Sequence, residues 1–109
     1  MNIPFFAFQT LEWQTIPKEE HKGETGMAYW QTKMMKDIRV RVVEYSAGYK
    51  ADHWCSKGHV ILCLEGEMIT ELTDGRMMKL NKGMCYFVGD KSEAHRSSSV
   101  GGCKLFIVD

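Results

Sequence analysis

Short runs of β-branched and aromatic residues alternate along this chain with polar, glycine-bearing breaks, at intervals of roughly 8 to 12 residues and without a helical repeat. Residues 27–34 and 38–45 flank Met35-Lys36-Asp37 and predict a hairpin. Residues 60–64, 67–73, 76–80, 84–88 and 103–108 predict further strands, separated by Asp74-Gly75, by Asn81-Lys82-Gly83 and by a polar loop over 89–94. Asp74-Gly75 is the strongest turn signal, since both residues tolerate the positive φ of a type I′ hairpin. In 38–45, Arg39 and Arg41 share a parity with Val43 and Tyr45, and simple alternation turns the arginines to water; an arginine aimed inward to hold a carboxylate is the alternative. The first dozen residues carry Phe5, Phe6, Phe8 and Leu11 without a period and predict an arm that packs on the domain or on a partner subunit. Residues 16–26 read as a loop, and His21 within it as solvent-facing. The pattern gives one all-β domain and leaves sandwich, jelly roll and open barrel equal.

A length of 109 residues suits one hydrophobic core and is too short for two. The 14 basic and 14 acidic residues are interspersed and sum to zero, which leaves no footprint for nucleic acid or an anionic membrane. No apolar run approaches the roughly 20 residues that span a bilayer, and the first residues lack the pattern of a signal peptide, so the expectation is a soluble, cytoplasmic protein. The four cysteines are expected to be free thiols. The eight methionines, with doublets at Met34-Met35 and Met77-Met78, read as core filler or interface residues.

Chemistry concentrates between Gly48 and Gly66. His53 and Cys55 are two positions apart, so an extended backbone directs both side chains to one face, and His59 keeps that parity. Ser56-Lys57-Gly58 reads as a tight turn that lets His59 open the next strand opposite them. This order resembles the first motif of the cupin superfamily, in which a glycine, a His-x-His pair, a glutamate and a closing glycine follow one another. Here Gly48, His53, Cys55, His59 and Gly66 take those places, with Cys55 for the second histidine and His59 for the glutamate. Gly83 and His95 match the ends of the second cupin motif, with Ser99 where asparagine is usual. The Asp52-His53-Trp54-Cys55 cluster is similar to the small bacterial DHCW-motif cupins.

The resemblance implies a double-stranded β-helix of jelly-roll type, with 1–26 as arm and loop and 27–109 as barrel, and a homodimer. It also implies a site of His53, Cys55, His59 and His95 for one divalent transition ion per chain. Three imidazoles and a thiolate favour zinc first, with iron, nickel or copper next, over magnesium or calcium. With a thiolate in the set, ion and ligands sum to a positive site that favours an anionic co-ligand. Even spacing adds Ile61 and Cys63 to the cavity wall, Cys85 and Tyr86 are counted with the same lining, and Asp52 is placed to orient a ligand imidazole. Trp54, of opposite parity, belongs outside the barrel. Tyr86, Glu71 and Tyr45 are the candidate acids or bases. The expected function is a metal-binding cupin of unassigned activity. The alternatives are a metal-dependent enzyme of dioxygenase, isomerase or hydrolase type acting on a small, partly apolar or anionic molecule, and a metal-free module that binds a small-molecule ligand. The plain reading of the same residues is partly buried, hydrogen-bonded histidines and an ordinary buried cysteine.

Overall fold

A computed structural model describes residues 2–109. One 3₁₀ turn, Trp13–Thr15, precedes nine strands: β1 Glu19–Lys22, β2 Met27–Met35, β3 Ile38–Tyr45, β4 Tyr49–Lys50, β5 His59–Leu72, β6 Met77–Asn81, β7 Cys85–Val88, β8 His95–Ser99 and β9 Cys103–Val108. All pairings are antiparallel; the strand path runs β1-β2-β3-β9-β5-β8-β4, with β6 and β7 also on β5. Among the described residues, no helix is long and apolar enough to cross a membrane.

The fold turns on β5. Its first half pairs with β7 and β9, and its second half with β6 and β8. The register shifts between Cys63 and Glu65, and Gly66 then takes φ +75°. A bulge of this kind bends and twists a strand, so the two halves of β5 enter the two walls of a curled half-barrel. The sequence read 60–64 and 67–73 as separate strands because Glu65-Gly66 looks like a break; it is a bend inside one strand of 14 residues. Cys63, Met68, Val43, Leu105 and Ile107 fill the space between the walls, and full burial of such side chains contributes roughly 1.5–3 kcal/mol each. Gly66 admits no substitute, since a Cβ there would lie 2.3 Å from the Gly102 carbonyl oxygen. Gly66→Ala is expected to cost about 3 kcal/mol or more, read as a lower urea midpoint. An unchanged midpoint would show that the bend relaxes freely.

Other expectations change in detail. The 16–26 loop contains β1, which pairs with β2. His21 stacks on Trp30, ring centroids 3.8 Å apart, instead of facing solvent alone. The Asp74-Gly75 hairpin is present, but only Gly75 has positive φ, and the Gly75 amide donates to the Leu72 carbonyl, a geometry other than type I′. Phe5 and Phe8 are 89% and 95% exposed, so that part of the arm does not pack on its own domain.

The arginines do not face water. Arg41 is 5% exposed, and its parity with Val43 and Tyr45 carries it inward. Asp109, with a fully buried side chain, accepts hydrogen bonds from Arg39 at 2.9 and 3.1 Å and from Arg41 at 3.0 Å. The Trp30 ring covers the Arg41 guanidinium at 4.4 Å. Burial pushes the Arg41 pKa down, and the charge of Arg39 adds to this, while Asp109 acts against both.

Candidate metal centre

Three elements deliver three donor side chains to one point. His59 opens β5, His95 opens β8, and Cys55 is fastened to His95 by a pair of backbone bonds, the Cys55 amide donating to the His95 carbonyl at 2.7 Å and the Cys55 carbonyl accepting from the His95 amide at 3.0 Å. The His59 Nε2 and His95 Nε2 atoms are 2.7 Å apart, Cys55 Sγ is 3.9 Å from His59 Nε2, and one donor atom from each residue lies within 4.8 Å of the others.

The outer nitrogens fix the tautomers. His95 Nδ1 lies 2.8 Å from the Glu93 carbonyl oxygen, which can only accept, so that nitrogen carries the proton. His59 Nδ1 lies 3.0 Å from Asp109 Oδ2, and an ionised carboxylate likewise only accepts. In the neutral rings both Nε2 atoms therefore present lone pairs to each other, and a cation between them removes that repulsion. Burial pushes the His95 pKa down, with the His59 charge acting in the same direction against the bond to Glu93, which favours the neutral, ligating form of His95.

The support behind His59 is charged. Burial alone would raise the Asp109 pKa, but hydrogen bonds from His59 and Arg39 and the charge of Arg41 bring it well below the ordinary carboxylate value. A carboxylate that orients a ligand imidazole in this way is the usual arrangement behind a metal ligand. Tyr86 stands edge-on to both rings, 6.4 Å from His59 and 6.1 Å from His95 by centroid. Burial raises its phenol pKa against the nearby Thr70 and Ser97 hydroxyls, and the buried Tyr86 and Thr70 hydroxyls close no well-formed hydrogen bond.

No family model matches the sequence, and no curated protein does. Solved structures match in three dimensions. A predicted oxalate decarboxylase from Thermotoga maritima superposes with TM-score 0.78 at 15% identity, covering 92% of this chain and 96% of that one. An RmlC-like cupin from Shewanella frigidimarina gives 0.74 at 15% identity over 94% and 89%. The fold is the cupin fold. A structure of Fe(II)-HppE gives 0.76 at 14% identity over 94% of this chain and 60% of its own.

In this chain, Cys55, His59 and His95 come together and His53 stands apart. The His53 side chain is 76% exposed, and its Nδ1 sits 2.6 Å from Asp52 Oδ1. The two-residue spacing holds both side chains to one face only on extended backbone, and residues 52 and 53 form a bend. Ser56-Lys57-Gly58 is not a tight turn either; the Gly58 amide donates to the Asp90 carboxylate at 2.7 Å and the Ser56 carbonyl accepts from Lys91 at 2.8 Å. Asp52 is thus engaged with His53 and not with a clustered imidazole. Ile61 and Cys63 are buried in the wall below His59, whereas Cys85 is an exposed residue of β7. Glu71 faces outward onto Arg96 at 3.0 Å, and Tyr45 stacks on Tyr49 at 4.1 Å. Trp54 lies outside the barrel, 39% exposed and against Arg96 at 4.5 Å. The sequence reading missed Asp109 and Thr70, and held the inward Arg41 only as the alternative. Asp109 had a legible signal, because it continues the buried parity of Cys103, Leu105 and Ile107.

Proposed function

We propose that this cupin binds one divalent transition ion through Cys55, His59 and His95. The facing Nε2 atoms carry the reading: two imidazoles, each committed through Nδ1 to an acceptor, meet at 2.7 Å, an arrangement that a shared cation stabilises. The neighbouring thiol makes the donor set suited to zinc first and to iron, nickel or copper next. When bound, the ion would supply Lewis acidity at the inner end of the barrel. Asp109 holds His59 in its ligating tautomer, the Glu93 carbonyl does the same for His95, and the surrounding apolar wall limits water.

Three protein ligands leave room for a water or a small anion, which is the pattern of an exchangeable site. A metal-dependent enzyme acting on a small anionic or partly apolar molecule is the second reading, favoured by the buried Tyr86 hydroxyl beside the imidazoles. Elemental analysis of protein stripped with chelator and reconstituted with zinc or Fe(II) tests the main reading, with about one ion per chain expected. No retained metal would leave the metal-free binding module. His53→Ala is expected to keep the wild-type stoichiometry, because its ring points to solvent. Loss of the ion in that variant would bring His53 into the shell and close the site.

A further inference from the structure

A cleft of about 240 Å³ opens between β6 and β7 and reaches the metal centre at His95. Pockets for drug-sized ligands run about 300–1,000 Å³, so its occupant is smaller. Leu72, Leu80 and Val88 form apolar walls, and the polar side chains at the inner end include Thr70 and Tyr86. Thr70 is 4% exposed, and its hydroxyl and that of Tyr86, near each other and with Tyr86 also near Ser97, close no well-formed hydrogen bond. Buried hydroxyls with poorly formed partners are costly, and a single acceptor placed between these two would satisfy both. Glu93 at the rim would repel an anion, but its carboxylate is paired with Arg76.

We infer that this cleft binds a small aliphatic carboxylate, its head group accepting hydrogen bonds from Tyr86 and Thr70 beside His95 and its tail lying among Leu72, Leu80 and Val88. The two donors and the apolar walls set a ligand with an acceptor head and a short hydrocarbon tail. The preference for an acid over a neutral amide rests on the metal reading above, because the positive charge comes from the bound ion.

Hexanoate and hexanamide are suitable probes, titrated calorimetrically into zinc-loaded protein whose metal content has been measured. Hexanoate is expected to bind, hexanamide more weakly, and Tyr86→Phe and Thr70→Val each to weaken hexanoate about tenfold or more with zinc content unchanged. These variants keep the side-chain outline and remove only the hydroxyl. No hexanoate binding to protein carrying one zinc per chain, as expected if the hydroxyls hold only water, overturns the inference and leaves the metal reading standing. Undiminished binding in both variants does the same. If the protein holds no zinc, the metal reading falls, and the acid preference falls with it.

Discussion

His95→Ala protein is expected to carry no stoichiometric metal after desalting, with affinity reduced more than about 100-fold. His95 supplies one of the two facing Nε2 atoms, and its backbone also fixes Cys55. The alanine keeps the two backbone bonds, so Cys55 holds its place while the donor nitrogen is lost. Because His95 is only 2% exposed, truncation also removes packing, and a far-UV circular dichroism spectrum must accompany the metal assay. His59→Ala offers an independent check from another strand. A folded His95→Ala protein with undiminished zinc content would remove the proposed centre.

Asp109→Asn is expected to lower stability by about 3–5 kcal/mol, the range for stripping one partner from a buried ion pair. The lost carboxylate faces Arg39 and Arg41 at once, and only Arg39, with 28% of its side chain exposed, can turn to water for compensation. The same change removes the anionic acceptor at His59 Nδ1, for which an effect of about 10- to 100-fold on metal affinity is expected. Chemical denaturation of metal-free protein reads the first effect, and metal competition against a chelator reads the second. A variant as stable as the wild type would show that the arginines find other partners. One that kept full metal affinity would show that the carboxylate does not position His59.

What the sequence made legible depended on locality. The β2–β3 hairpin and strands β6, β7 and β9 could be read from residues close together in the chain, because alternation and turn chemistry act over a few positions. Cys55, His59 and His95 were readable as metal-ligating types, two of them four positions apart, and their convergence came from the resemblance. His53 was misplaced by a rule that presumes extended backbone, where the loop after β4 bends instead. The inward arginines were hidden for a different reason: alternation assigns charge to water unless a partner is visible, and Asp109 lies 68 residues beyond Arg41. Hydroxyls such as that of Thr70 carry no signal in a sequence, since being poorly partnered is a property of their surroundings.

The two ends of the strand path bear on how copies of this chain meet one another. A terminal strand offers unpaired amides and carbonyls to any extended segment, and a long apolar one invites stacking into larger sheets. Here β1 ends the path with Glu19, Glu20 and Lys22 exposed along four residues, and β4 ends it with only two residues, Tyr49 and Lys50. One end deters addition by charge and the other by brevity. Fibrillar growth from either end is therefore disfavoured even with a chain this rich in strand.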